Sequence, residues 1–226
     1  MGGHNDRFSN FISLRSLLIC LFCLCLGTDC SSRFLGKKVA SGRQWICDAE
    51  ADEAMQRCDY EAGILLHQHF LEKEPDNALA LYHLGYAHGQ LGNHVKEVSL
   101  YEKAVVLGFE RDNIFFNMGM AYGELNQTEK SIGAFKKALD INPDSADNHF
   151  GLGIAYQKEA VDKLAEEEFL TAIKIDPQHL DARLSLSLLY ADWGEMQKAS
   201  EQLRKILKID PSHERARGFL ERIEKE

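Results

Sequence analysis

Hydrophobic and polar positions repeat along this chain with a period of 34 residues, most clearly between residues 78 and 211. The prolines mark the period, because Pro75, Pro143, Pro177 and Pro211 are separated by 68, 34 and 34 residues, and Phe109 stands in the one vacant slot. A fixed period of this length predicts an array of similar supersecondary units, none of which buries its apolar face alone.

Small and aromatic residues recur in the same register. The small positions are Gly85, Gly119 and Gly153, followed by Ser187, and also Ala104, Ala138 and Ala172, followed by Ile206. The aromatic positions are Tyr122, Tyr156 and Tyr190, preceded by His88, and also Tyr101, Phe135 and Phe169, followed by Leu203. Small residues are expected where two helices approach most closely, and a proline is expected after the second helix because it cannot continue the hydrogen-bond ladder. The shared register of these positions therefore predicts that one structural unit is repeated along the chain.

This pattern resembles the tetratricopeptide repeat (TPR) family. One unit matches the family's positions with Phe115, Met118-Gly119, Tyr122, Ser131, Phe135, Ala138 and Pro143, and the next with His149, Leu152-Gly153, Tyr156, Ala165, Phe169, Ala172 and Pro177. The resemblance implies an all-α fold. It would be an α-solenoid of about five helix-turn-helix repeats plus a C-terminal capping helix, curved into a right-handed superhelix.

The same phase predicts the domain organisation. The repeat array spans 44–213, in units of about 44–77, 78–111, 112–145, 146–179 and 180–213, and a capping helix follows at 214–226. The first unit is degenerate, with a first helix predicted at about 45–57, in which Glu50 stands where the pattern has Leu, and a second at about 59–74. Terminal units are often atypical because one face meets solvent.

The N-terminal sequence is typical of a targeting segment. Arg7 and Arg15 precede an apolar run at 17–26 that Gly27 closes, which has the length of a secretory signal core and is short for a membrane span. We expect 1–27 to be a signal peptide or membrane anchor and 28–43 a basic linker, with the repeat domain exported (periplasmic or extracellular) or anchored outside the cytoplasm. Lipidation at Cys30 and a mis-assigned start codon are alternatives.

The charge distribution argues against nucleic acid. The chain carries 26 Lys and Arg against 35 Asp and Glu, a net charge of -9. Residues 1–43 hold 6 basic and 2 acidic residues, so the remainder holds 20 and 33, a net charge of -13. A surface of that sign repels phosphate backbones, so we expect no nucleic-acid partner for the repeat array.

The family resemblance implies that the first helix of each unit lines a concave groove. The predicted groove residues lie three before and one after each repeat glycine position, with Asn117 added, and are Tyr82, Tyr86, Phe116, Asn117, Met120, Phe150, Ile154, Leu184 and Leu188. Repeat proteins that grip a chaperone's C-terminal carboxylate use Lys, Asn and Arg here, and only Asn117 matches. An apolar or amphipathic peptide segment is therefore the expected ligand. The protein's own linker, a second copy, or plain packing between first helices would also explain the stripe.

No residue pattern indicates catalysis. Gly151-Leu152-Gly153 lacks the third glycine of a dinucleotide loop, and His67 and His69 are spaced so that their rings point to different helix faces. Cys47 and Cys58, if joined by a helix, lie too far apart for a disulfide. We expect no enzyme activity, no cofactor and no metal. The predicted function is a protein-interaction scaffold, with a structural homo-oligomer or an accessory subunit of an enzyme complex as alternatives, and the oligomeric state is left open.

Overall fold

A computed structural model of the protein describes residues 45–225, in which there are eleven α-helices and no strand. None of the helices in this range is long and apolar enough to cross a membrane. The predicted signal or anchor, the basic linker and Cys30 lie outside the described residues. The helices are α1 Ala49–Gln56, α2 Tyr60–Lys73, α3 Ala78–Gln90, α4 His94–Val106, α5 Asp112–Glu124, α6 Thr128–Ile141, α7 Ala146–Lys158, α8 Asp162–Ile175, α9 Leu180–Asp192, α10 Met196–Ile209 and α11 Glu214–Ile223.

Helix pairs build the array. Each helix packs against the next one in the chain, from α1 on α2 to α11 on α10. The first helices α3, α5, α7 and α9 begin at residues 78, 112, 146 and 180, which is the 34-residue period. The predicted fold class, five helical hairpins plus a final helix, is confirmed.

The turns inside the five hairpins share one backbone conformation. Residues 58, 92, 126, 160 and 194 all have positive φ, between 55° and 78°. The residue after each donates its N–H to a carbonyl five positions back, as Gln127 N does to Tyr122 O at 2.9 Å and Val161 N to Tyr156 O at 3.0 Å. This is the Schellman ending, which favours glycine at the left-handed position. Ala160 occupies that position against its steric preference.

The repeat glycines make room for an aromatic ring of the second helix. A Cβ placed on Gly85 would lie 2.7 Å from the ring of Tyr101, and one on Gly153 would lie 2.6 Å from that of Phe169. The Phe135 ring faces two glycines, with a Cβ on Gly119 meeting it at 2.8 Å and a Cβ on Gly151 also colliding with it. The two glycines around Leu152 are thus explained by packing.

Phe109 is not an ordinary substitute for the repeat proline. Helix α4 ends in its own Schellman turn, in which Gly108 has φ 92° and Phe109 N donates to Ala104 O at 2.9 Å. The turn folds the Phe109 ring into the core, where it is 1% exposed and stacks on Tyr82 at 5.2 Å between centroids. This junction is therefore closed by apolar packing.

The first helix begins later than the predicted residue 45. Asp48 ends the preceding irregular segment by accepting hydrogen bonds from Glu50 N and Ala51 N, both at 3.0 Å, and so caps α1. Asn77, the cap of α3, donates to Ile46 O at 2.9 Å. Residues 45–48 thus lie against the start of the second unit without extending α1.

Candidate functional site

The first helices form the inner side of the array. Helix α3 contacts α5, α5 contacts α7 and α7 contacts α9, whereas contacts between successive second helices are weaker or absent among residues 45–225. Helices on the inside of a curved stack approach one another more closely than those on the outside. The first helices therefore lie on the inner side of the stack, and their role as the lining of a ligand groove stays a prediction.

Two of the nine predicted groove residues belong to the core. Tyr82 is 4% exposed, and its ring stacks on Tyr101 at 5.6 Å as well as on Phe109. Leu184 is 5% exposed and packs with Leu203 and Ile206 beneath the last helix. For these two positions the expectation of an open surface is wrong, because the next layer of helices covers them.

The other seven predicted groove residues are half-buried. The position one after the repeat glycine accounts for four of them, and the position three before it for two. Their members are Tyr86, Met120, Ile154 and Leu188 in the first set, Phe116 and Phe150 in the second, and Asn117. They lie on four first helices that contact one another in series. We name this set the inner stripe.

Part of the inner stripe also packs onto the second helix of its own unit. Phe116 packs edge-on against Phe135 at 5.7 Å, and Phe150 lies 5.9 Å from Phe169 and 4.9 Å from the His179 ring. Met120 also contacts the cluster around Phe135. The rings of Phe116 and Phe150 are thus held by the helices behind them, which fixes the surface they present.

A polar group interrupts the stripe at the second junction. Asn113 Nδ2 and Asn117 Nδ2 each donate to Tyr82 Oη at 3.2 Å. Burial raises the pKa of Tyr82 well above its ordinary value, so the hydroxyl stays neutral. The side chain of Asn117 is therefore held in one orientation beside Phe116.

A second set of chemically capable side chains lies at the N-terminal end of the array. Cys47 from the irregular segment, Asp52 from α1, His67 from α2 and His83 from α3 each place one ligand-capable atom within 4.8 Å of those of the others. Cys47 Sγ lies 3.6 Å from His67 Nδ1 and 3.4 Å from His83 Nδ1. His83 Nδ1 lies 2.8 Å from Asp52 Oδ1. We name these four residues the CDHH cluster.

The two histidines of the CDHH cluster are buried. His67 is 0% exposed and His83 4%. Burial, helped by the charge of His83, lowers the pKa of His67 to about 4, and burial together with the Asp52 charge raises the pKa of Cys47 far above its ordinary value. Without a bound cation, the Cys47 thiol and the His67 imidazole are therefore neutral at pH 7.

The sequence pattern did not reveal this cluster. It drew attention to His67 beside His69, but His69 is exposed and pairs with Glu72 at 3.1 Å. Cys47 faces two histidines and forms no disulfide. The four members come from separate elements, 5 to 16 positions apart in sequence. No spacing rule for metal ligands on one helix or loop would have found them.

Comparison with known families identifies the repeat. Family models described as "Tetratricopeptide repeat" match residues 49–111 and 180–213, and one described as "TPR repeat" matches residues 119–159. The chain belongs to the tetratricopeptide repeat family. No curated protein sequence matches this TPR protein significantly.

Solved structures share the fold at low sequence identity. A crystal structure of MamA is 23% identical with a TM-score of 0.68, covering 75% of this chain and 99% of its own. YrrB, described as a TPR protein with an unusual peptide-binding site, is 24% identical with a TM-score of 0.63, covering 74% of this chain and 86% of its own. A thermophilic TPR protein from Thermus thermophilus is 20% identical with a TM-score of 0.62, covering 77% of this chain and 95% of its own. These similarities establish the solenoid fold alone.

Proposed function

We propose that this TPR protein is a protein-interaction scaffold that binds an apolar or amphipathic peptide segment along its inner stripe. The observation that carries the proposal is the row Tyr86, Met120, Ile154 and Leu188, in which the same inner position stays half-exposed and apolar in four successive units. A contiguous apolar row exposed on a soluble protein is typical of an interaction surface.

The side chains of the inner stripe favour an internal peptide segment over a charged chain terminus as the ligand. Aromatic side chains and methionine are enriched in interaction surfaces, and methionine adapts its shape to the ligand. The stripe contains no Lys or Arg to neutralise a carboxylate. Asn117, oriented by Tyr82, would hydrogen-bond the ligand's backbone at the middle of the row. The resemblance to YrrB, whose description names a peptide-binding site, supports the same class of ligand.

The test is a crosslinked pull-down from native extract with the full chain and a matched set of variants. Met120→Glu and Ile154→Glu place a charge on the inner stripe. Val95→Glu makes the same change on the second helix α4, where Val95 is 72% exposed. Truncating a central anchor typically costs about 1–4 kcal/mol of binding, so we expect a partner to be lost from the first two variants and retained by the third. Circular dichroism and thermal melting would show that each variant is folded.

The outcomes separate this function from its alternatives. Retention of the partner by all three folded variants would refute binding along the stripe. A mass that rises with protein concentration, and falls to the monomer in Met120→Glu, would show that a second copy fills the stripe. Copurification of an active enzyme would indicate an accessory subunit.

We further propose that the repeat array works outside the cytoplasm, exported or tethered to the cell envelope. The support is the apolar run at 17–26 behind Arg7 and Arg15. N-terminal sequencing of the protein isolated from its native cells should give a start near residue 28 if the segment is cleaved. An intact N-terminus in the membrane fraction would indicate an anchor, and an intact N-terminus in the cytosol would refute the proposal.

A further inference from the structure

We propose that the CDHH cluster binds one divalent transition-metal ion of the zinc class. Two imidazoles, one thiolate and one carboxylate form a mixed N, S and O donor set. Zinc accepts all three ligand types and favours four ligands in a tetrahedron, whereas calcium and magnesium prefer oxygen ligands alone.

The distances around Cys47 fit a tetrahedral ion. Two ligands at about 2.3 Å (sulfur) and about 2.05 Å (nitrogen) from such an ion lie about 3.6 Å apart. Cys47 Sγ lies 3.6 Å from His67 Nδ1 and 3.4 Å from His83 Nδ1. The Cys47 sulfur therefore lies from each imidazole nitrogen at about the distance that two ligands of one tetrahedral ion would have.

Asp52 completes the set after a small movement. Its Oδ1 is 2.8 Å from His83 Nδ1, a hydrogen-bond distance, whereas two such ligands of one tetrahedral ion lie about 3.3 Å apart. The Asp52 side chain is 35% exposed, so its carboxylate is free to shift by about half an ångström, which that difference requires. On metal binding, the Cys47 thiol proton leaves to solvent, the proton between Asp52 and His83 moves to His83 Nε2, and metal–ligand bonds replace both hydrogen bonds.

The burial of the cluster points in the same direction. His67 is 0% exposed and His83 is 4% exposed, and the Nδ1 atom of each faces the Cys47 sulfur. Buried polar groups that face one another in this way require a partner, and a metal ion bound through both Nδ1 atoms would supply it. An imidazole that binds metal through Nδ1 keeps its proton on Nε2.

A nucleophilic triad is a poorer explanation of the same residues. In a Cys–His–Asp triad the two ring nitrogens contact the thiol and the carboxylate separately. Here Cys47 and Asp52 both approach the same atom, His83 Nδ1. His83 therefore does not bridge the thiol and the carboxylate through its two ring nitrogens, as a triad requires.

The ion would fasten the exposed end of the array. The first unit has no neighbour on its N-terminal side in the described chain, and its helix α1 has only eight residues. A metal held by the irregular segment, α1, α2 and α3 would tie that unit to the second one. His83 adjoins Tyr82, with ring centroids 5.6 Å apart, so occupancy would also fix the start of the inner face.

The test uses the full chain, stripped with a chelator and titrated with Zn²⁺ and with Co²⁺ as a spectroscopic probe. We expect one ion per chain. The cobalt complex should show the intense visible bands of a tetrahedral site and a thiolate-to-metal charge-transfer band. Replacing a residue that only hydrogen-bonds to a metal ligand commonly weakens metal binding by 10–100-fold. Loss of a direct ligand, in Cys47→Ser or His67→Gln, should therefore weaken Zn²⁺ binding by at least about 100-fold.

The chain offers a matched control for each change. Cys58→Ser and His69→Gln remove the same chemical groups nearby, and both should bind Zn²⁺ as the wild type does. Zn²⁺ should raise the melting temperature of the wild type and controls but not of Cys47→Ser or His67→Gln. Zn²⁺ should also protect Cys47 in the wild type from alkylation, as read by peptide mass spectrometry, which needs no variant to fold.

Several results would overturn the proposal. These are the absence of stoichiometric binding, an octahedral cobalt spectrum without a thiolate band, or unchanged affinity in Cys47→Ser and His67→Gln. Alkylation of Cys47 at the same rate with and without Zn²⁺ would be equally decisive. In each case the four residues would be a hydrogen-bonded cluster only.

Discussion

The substitution of glycine by alanine should have opposite effects at two helical positions of this protein. Gly153 lies in α7 against Phe169, and Gly133 lies in α6 with nothing within 4 Å of an added Cβ. Both positions are inside a helix, so the two substitutions share the same change in helix propensity. Only Gly153→Ala adds a collision.

The magnitudes follow from the two environments. Alanine is favoured over glycine in a helix interior by about 1 kcal/mol, so Gly133→Ala should stabilise the protein by about that amount. At Gly153 the new Cβ would lie 2.6 Å from Cε1 of Phe169, whose side chain is 0% exposed. Overpacking of this kind costs about 1–3 kcal/mol. The free energy of unfolding of Gly153→Ala should therefore be about 1–3 kcal/mol lower than that of Gly133→Ala.

Thermal unfolding followed by circular dichroism at 222 nm would measure both variants against the wild type. In a chain of this size about 1 kcal/mol corresponds to roughly 2–4 °C. We therefore expect Gly133→Ala to melt roughly 2–4 °C above the wild type, and Gly153→Ala to melt at or below it. Urea titration would give the same order through the midpoint, with the slope unchanged.

Equal stabilisation by the two substitutions would refute the reasoning. It would mean that the Phe169 ring has room to move, and that the close approach of α7 and α8 does not require glycine at position 153. Gly119→Ala, whose Cβ would lie 2.8 Å from Phe135, provides an independent repeat of the test one unit earlier.

Two further predictions concern a strained turn and a buried hydroxyl. Ala160→Gly should stabilise the protein by roughly 0.5–1 kcal/mol, because Ala160 holds a φ of 58° that glycine adopts without steric cost. Asn126→Gly should have a smaller effect in the same urea titration, because asparagine already tolerates this conformation. Burial and a hydrogen bond to Glu166 raise the pKa of Tyr190 to about 12. The folded state thus keeps this proton longer than the unfolded chain, so the contribution to stability is complete below about pH 10 and is lost as the pH rises from 10 to 12. The wild-type minus Tyr190→Phe absorbance difference should show no tyrosinate at pH 10.5 in the folded protein but should show it in urea, and tyrosinate in both would contradict the assignment.

The fold could be predicted from the sequence because its determinants are local and repeated. Glycine, aromatic and proline positions 34 residues apart specify the helix contacts and ends that the structure contains. The prediction was less accurate where one unit departs from the pattern. Phe109 occupies the position that proline has in the other units. Gly108 before it ends helix α4 in a turn that proline does not form, and this turn places the Phe109 ring in the core. Asp48 caps α1, which begins four residues after the predicted start.

The candidate sites could be predicted only in part. The phase of the repeat indicates which helix face points inward, but not how much of it the next unit covers, so Tyr82 and Leu184 were assigned to a surface that is buried. The CDHH cluster depends on how α2 and α3 stack and on the path of residues 45–48. Its members share no period and no common element, so local sequence carries no signal for their proximity.

The position of the Phe135 ring has a consequence for cooperativity. Because the ring lies against Gly119 of its own unit and Gly151 of the next, one side chain contributes to two hydrophobic cores at once. The stability of a repeat array is the sum of the stabilities of its units and of the interfaces between neighbouring units, and the Phe135 ring strengthens one such interface. Helices α5 to α8 should therefore unfold together, and their amide hydrogens should exchange more slowly than those at the two ends of the array. A bound segment would then meet an inner surface that is stiff at its centre and compliant toward both ends.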